Sequence, residues 1–229
     1  MRVLYLVMFA ATFTPLFGQS IKVISYNIRY DNPDDGANQW TNRKEKVADL
    51  IRKNNPDLIG VQEALLHQLK DLLLLLPDYT YYGAGREDGK EKGEFSAVLV
   101  RHARFGVLKD STFWLSETPQ IAGSKSWDAA LPRIVTWTQL YDKETKNEIL
   151  FINTHFDHKG TLARTNSAVI ITNFVNAYYK NKSIPIIMTG DLNVDRKQEA
   201  FNVLTVQSKL LLDSKPEGNN DPTACGFDV

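Results

Sequence analysis

Apolar and polar positions along this chain follow two periods. Alternation near two, or a short apolar run bounded by turn residues, predicts strands over residues 21–29, 58–61, 79–83, 94–101, 105–116, 133–141, 148–154 and 184–188. A helical period predicts helices over 43–53, with Val47, Leu50 and Ile51 on one face, and over 64–76, 161–179 and 198–206. Asn54-Asn55-Pro56-Asp57 stops the first helix and Pro77 the second. Leu72 to Leu76 is apolar all round, which predicts a deeply buried helix end. Segments 30–42, 84–93, 118–131 and 155–159 carry the Asp, Asn, Gly, Pro or charged residues of loops. Segments 94–101 and 105–116 alternate like paired strands, and 133–141 with 148–154 predicts a hairpin around 142–147. Strands and helices in this order predict an α+β layered domain, not a parallel doubly wound sheet.

Four polar constellations close strand-like stretches: Asn27 in Ser-Tyr-Asn, Glu63 in Gln-Glu, His155 in Asn-Thr-His, and Asp191 with Asn193 after Thr-Gly. Asp191 and Asn193, two apart on extended backbone, can face the same side. An anionic acceptor and an amide so placed suit orienting a water and holding a phosphoryl oxygen near a cation. The competing reading is an ordinary Asp-x-Asn turn, since both are common turn residues. A single such residue also fits a turn or a satisfied core group. Four at corresponding strand ends point to a site.

Lys+Arg and Asp+Glu balance at 27 each, so the net charge is zero and the basic surplus of a dedicated nucleic-acid binder is absent from the total. With 43% hydrophobic and 24% charged residues the composition is that of an ordinary globular protein. Residues 1–19 read as a secretory signal peptide: Arg2, an apolar run from Val3 to Phe17, and a small-residue exit at Gly18. The run is short for a membrane span, the competing reading. The expectation is export to a periplasm or the outside, with residues 20–229 as the mature domain. Cys225 is the single cysteine, so no internal disulfide is possible.

Ser25-Tyr26-Asn27-Ile28-Arg29, Pro56-Asp57-Leu58-Ile59-Gly60-Val61-Gln62-Glu63, Asn153-Thr154-His155-Phe156-Asp157-His158 and Gly190-Asp191-Leu192-Asn193 resemble, in order and context, the endonuclease/exonuclease/phosphatase superfamily with its deoxyribonuclease I-like fold. The 85–90 segment and Trp127-Asp128 through Arg133 look more like its exported bacterial branch. The resemblance implies a four-layered α/β sandwich of two packed mixed sheets flanked by helices. It implies a phosphoesterase acting by in-line water attack on a phosphodiester or phosphomonoester. It makes Glu63 the principal Mg2+ ligand, with Asn27 beside it and Mn2+ a possible substitute. Asp191 orients or deprotonates the water, Asn193 steadies the phosphate, and His155 contacts the phosphate or helps proton transfer. Glu94 matches a carboxylate that supports this histidine, against the alternative of a solvated strand-edge Glu.

Arg133 is the preferred phosphate-gripping guanidinium and Arg86 a second candidate. Trp127, Asp128, Asp157, His158 and Arg164 fit the exported branch without an assigned role. The implied closing strand and Ser-Asp-His motif are not found in these 229 residues, whose Thr223–Val229 segment resembles the stretch just before them. Asp213 resembles the carboxylate that would orient the histidine of that motif. The expectation is therefore a C-terminally incomplete domain with impaired activity. The alternative is a non-catalytic fragment or binding module that retains the fold. A monomer is expected; the substrate class (nucleic acid, phosphoinositide, sphingomyelin or sugar phosphate) stays open, because loops select it.

Overall fold

Two four-stranded sheets lie face to face in the computed structural model, which describes residues 20–214. The segment read as a signal peptide (1–19) and the 223–229 segment lie outside the described residues. In chain order the elements are β1 (Val23–Asn27), a 3-10 turn (Pro33–Asn38), α1 (Trp40–Asn54), β2 (Leu58–Ala64), α2 (Leu66–Leu75), β3 (Tyr79–Tyr82), β4 (Phe95–Arg101) and β5 (Phe105–Trp114). There follow β6 (Ile134–Asp142), β7 (Glu148–His155), α3 (Thr161–Lys182), β8 (Ile186–Asp191) and α4 (Glu199–Asn202), which runs into a π turn (Val203–Gln207). One sheet has the order β1-β2-β4-β3, the other β5-β6-β7-β8. Both are mixed: β1 and β2 run parallel, as do β7 and β8, and the other pairs are antiparallel.

Side-chain alternation builds the layers. On β2 and β4, Leu58, Val98 and Val100 turn toward the other sheet, meeting Phe105, Leu140, Ile149 and Phe151. The intervening Ile59, Val61, Ala97 and Leu99 face outward and are covered by Val47, Ala48 and Ile51 of α1 and Leu69 and Leu72 of α2. On the far side, Val135, Trp137, Leu150 and Ile152 are covered by Ala168, Ile171 and Val175 of α3. The result is the expected helix–sheet–sheet–helix sandwich. The hairpin of β6 and β7 is as predicted, and Asn55, in the left-handed conformation (φ 47°), ends α1 where the turn residues fall.

Two expectations are corrected. The strands β4 and β5 are not partners; they belong to different sheets. All but the last residue of β4 are buried, so it needs a neighbour on each side and takes β2 and β3, whereas β5 has an exposed middle and forms an edge. The turn between them carries Arg104, whose guanidinium donates to Asp57 (2.9 Å) and Asp142 (3.1 Å) and clamps the two sheets at one end. The end of α2 is also not buried all round. Leu72 and Leu76 are covered, but Leu74 is 82% exposed, because the helix lies on an outer layer and only one face meets the sheet.

Candidate active site

The end of the sandwich opposite the Arg104 clamp collects the strand-end residues. Asn27 ends β1, His155 ends β7 and Asp191 ends β8, the last two aligned across a parallel ladder. Glu63 arrives differently. Between the pairs Val61↔Ala97 and Ala64↔Phe95, β2 advances by one residue more than β4, a β-bulge, and Glu63 sits in it with φ 62°. A left-handed φ on a non-glycine residue costs of order 1 kcal/mol or more, and bulges re-aim side chains in this way. The carboxylate is thereby turned to the site.

The acidic side of the site is drawn together by Asn27. Its Nδ2 donates to Glu63 Oε1 (2.8 Å) and to Asp191 Oδ2 (2.9 Å), while its Oδ1 accepts from the Arg29 backbone N–H (3.0 Å). Glu63 Oε2 also accepts from the Tyr30 N–H (3.3 Å), and Asp191 Oδ1 from the Asn193 N–H (3.2 Å). Two carboxylates thus converge from different sheets around one amino group. That all-oxygen acceptor pair suits a hard divalent cation that keeps several waters. Among the described residues no group of three or more His, Cys, Asp or Glu forms a closed metal cage. Asn27 presents its amino side here, so ligation through its oxygen would require turning the amide and releasing Arg29.

The opposite side is basic. Arg133 is buried, its Nε 3.4 Å from Asp157 Oδ2 and its Nη2 3.0 Å from His158 Nδ1. Arg86 donates a two-pronged pair of hydrogen bonds to Glu94 (2.8 and 2.9 Å). Burial pushes the Glu94 carboxyl up, against the pull of Arg86. Burial, with Arg133 beside it, pushes the His155 imidazole down to about 4, against the opposing pull of Asp191 and Glu63. His155 is therefore neutral near pH 7. Its Nε2 lies 3.1 Å from Asn193 Nδ2 and 3.8 Å from Asp191 Oδ2, so the unprotonated Nε2 accepts from the amide. Asn193 Nδ2 also donates to the Phe156 carbonyl (3.0 Å).

Between the two sides lies a cleft of about 310 Å³, lined by Glu63, Asp191 and Asn193 and by Arg86, Glu94, Arg133 and His155, with Arg29, Tyr30, Leu131 and His158 completing its wall. The expected Glu63, Asp191, Asn193, His155 and Arg133 are thus brought together, with Asn27 behind the carboxylates. Glu94 reaches the cleft, but both its oxygens take Arg86 and no hydrogen bond joins it to His155. Asp213 does not line the cleft; it is ion-paired with Arg196.

Asp157, Asp128 and Arg164, without a role in the sequence, have structural ones. Asp157 Oδ1 accepts from the N–H groups of Lys159 and Gly160 (2.9 and 2.8 Å), and its Oδ2 from Ala130 and Leu131 (3.1 Å each). It fastens the 118–131 loop beside Arg133. Asp128 accepts from Leu162 and Ala163 at the start of α3, and Arg164 donates to the Asp157 carbonyl (3.0 Å). The wall residues Arg29 and Tyr30 follow the Ser-Tyr-Asn motif directly, a signal of proximity that sequence reading left unused.

The model of the Endonuclease/Exonuclease/phosphatase family matches residues 24–226. The chain belongs to that family. It is similar to a solved family protein from Bacteroides thetaiotaomicron, 41% identical with a TM-score of 0.79 over 82% of this chain and 67% of that one. It is also similar to the mannosyl-6-phosphatase Bt3783 of Bacteroides thetaiotaomicron VPI-5482, 42% identical with a TM-score of 0.80 over 82% of this chain and 71% of that one. The human Nocturnin catalytic domain with bound sulfate shares the fold, with a TM-score of 0.67 and 17% identity over 82% of this chain and 70% of that one. Family membership carries hydrolysis of phosphoester bonds as the general chemistry. No helix among the described residues is long and apolar enough to cross a membrane.

Proposed function

We propose that this chain is a divalent-metal-dependent phosphomonoesterase whose substrate is a small sugar phosphate. The observation that carries the reading is the two-sided cleft, with two carboxylates from different sheets joined through Asn27 and guanidinium and imidazole groups opposite. The likeness to a mannosyl-6-phosphatase supports the choice of a sugar phosphate among the phosphoesters.

Glu63, with Asp191 and Asn27 close by, would hold Mg2+ or Mn2+. When bound, such an ion neutralises charge developing on the phosphoryl oxygens. The protein's own groups do the rest. Asp191, oriented by Asn27 and the Asn193 N–H, takes the proton of a water as that oxygen bonds to phosphorus and the opposite ester P–O bond breaks, the leaving sugar oxygen taking a proton from solvent to depart as the alcohol. Arg133 faces the non-bridging oxygens, guanidinium being a donor suited to them, while the Asn193 amide, which lines the cleft, would have to release His155 or the Phe156 carbonyl to donate to one as well. His155, whose Nε2 accepts from the Asn193 amide, lines the cleft beside Arg133 and Asp191, where it can contact the phosphate. Holding water and phosphate in line supplies much of the rate gain.

The test is phosphate release from a hexose 6-phosphate and from p-nitrophenyl phosphate, beside bis-p-nitrophenyl phosphate, with Mg2+, with Mn2+ and with EDTA. The expected result is metal-dependent monoester turnover that falls ~100-fold or more in Glu63→Gln, the scale of losing one preorganised electrostatic group. Turnover that survives both EDTA and Glu63→Gln would overturn it. Preference for the diester would overturn the substrate class alone.

A further inference from the structure

Beneath the site residues lies a second row of polar groups, one from each strand that bears them. Ser25, Asn153 and Thr189 stand two positions before Asn27, His155 and Asp191, the spacing that keeps side chains on one face of a strand. On β2, where the bulge adds a residue, Gln62 takes the equivalent place.

Asn153 is the hub. It is fully buried, its Nδ2 donates to the carbonyls of Val61 (2.9 Å) and Ala97 (2.8 Å), and its Oδ1 accepts from Gln62 Nε2 (2.7 Å) and Thr189 Oγ1 (3.0 Å). Both donors and both lone pairs of the amide are used. The carbonyls belong to the last regular pair of the β2–β4 ladder before the bulge, so a side chain from the other sheet anchors the backbone where Glu63 departs from it. Gln62 extends the row to Ser25 Oγ (3.3 Å), which in turn accepts from the Gly190 N–H (3.1 Å). The sheets meet closely here: a Cβ on Gly60 would lie 1.9 Å from Thr189 Oγ1 and 2.5 Å from Asn153 Oδ1.

We propose that Asn153 is a positioning residue: it holds the strained bulge of β2, and with it the Glu63 carboxylate, in register with His155 and Asp191 of the opposite sheet. An apolar residue would fill the volume between the sheets, as Phe151 does two positions earlier, but would leave the Val61 and Ala97 carbonyls, Gln62 Nε2 and Thr189 Oγ1 each one partner short and the bulge free to slip. That Glu63 holds a metal rests on the function proposed above; that Asn153 places Glu63 does not.

The test uses Asn153→Asp, which keeps shape and removes both amide donors, and the milder Thr189→Val, which removes one donor to Asn153. Three readouts are taken on the folded protein: Mn2+ affinity by calorimetry, kcat and KM for p-nitrophenyl phosphate, and hydrogen exchange of the peptide spanning 58–66 relative to β5. Expected for Asn153→Asp are a ~10- to 100-fold loss of Mn2+ affinity, the usual scale for removing an outer hydrogen-bond partner, a fall in kcat with little change in KM, and selectively faster exchange at 58–66. Thr189→Val should shift all three in the same direction by a few fold, and it decides the matter if Asn153→Asp does not fold. Unchanged Mn2+ affinity, kcat and relative exchange in a folded variant would overturn the proposal. If the parent binds no Mn2+, the metal reading fails, and the exchange of 58–66 still decides whether Asn153 holds the bulge.

Discussion

Replacing Asp157 by Ala should cost more stability than any other single change in the loops around the cleft. Its carboxylate is 1% exposed and accepts from four backbone N–H groups and from Arg133. Each buried donor left without a partner costs ~1–3 kcal/mol, and removing one member of a buried ion pair costs ~3–5 kcal/mol. These groups share one acceptor, so the terms do not add, and the expected loss is about 3–5 kcal/mol in all. For a domain of this size about 1 kcal/mol moves Tm by ~2–4 °C, so the melt should fall by roughly 10 °C. The pH dependence has a definite sign. Burial raises the Asp157 carboxyl, but the N–H groups of Gly160, Lys159, Ala130 and Leu131 outweigh it and hold it well below the usual carboxylate range. With its folded pKa depressed, its contribution is full above the unfolded pKa of ~3.9 and is lost as pH falls through the folded one. Thermal melts followed by circular dichroism from pH 7 down to pH 3 should therefore show the gap between parent and Asp157→Asn widest near neutrality and narrowing in acid. An Asp157→Ala melt within about 2 °C of the parent at pH 7 would refute the loop-anchor account.

Two further substitutions probe the neighbouring structure. Gly60→Ala places a methyl 1.9 Å from Thr189 Oγ1 and should lower the urea midpoint by the equivalent of ~1–3 kcal/mol; an unchanged midpoint would contradict the close approach of the sheets. Arg86→Met strips Glu94 of its two-pronged partner and leaves a carboxyl already pushed up by burial to rise further. A raised folded pKa means stability present in acid and lost as pH rises, so this variant should lose more Tm at pH 8 than at pH 5, and equal losses would count against it.

Much of the fold is written locally. The apolar alternation of 58–61, 94–101 and 148–154 marked strands, and the three-to-four spacing of Val47, Leu50 and Ile51 marked a helix, because burial acts on each residue according to the face it presents. The convergence of the candidate site residues was legible for a related reason. Asn27, Glu63, His155 and Asp191 follow apolar runs, and a polar group there can sit where a buried strand emerges. Sequence order alone did not reveal partners. The polar Lys109-Asp110-Ser111-Thr112 middle of β5 sets it apart from the apolar β4, but nothing local says that the two lie in different sheets, since pairing depends on which faces find cover. Nor could a motif show that Glu94 binds Arg86 in place of His155, that Asp157 gathers two loops, or that Asn153 crosses between sheets to the carbonyls beside the Glu63 bulge. Residue type and period determine which groups must be buried and which can do chemistry. Only the packing of residues distant in sequence decides which donor meets which acceptor, because each hydrogen bond requires its two atoms within about 3 Å.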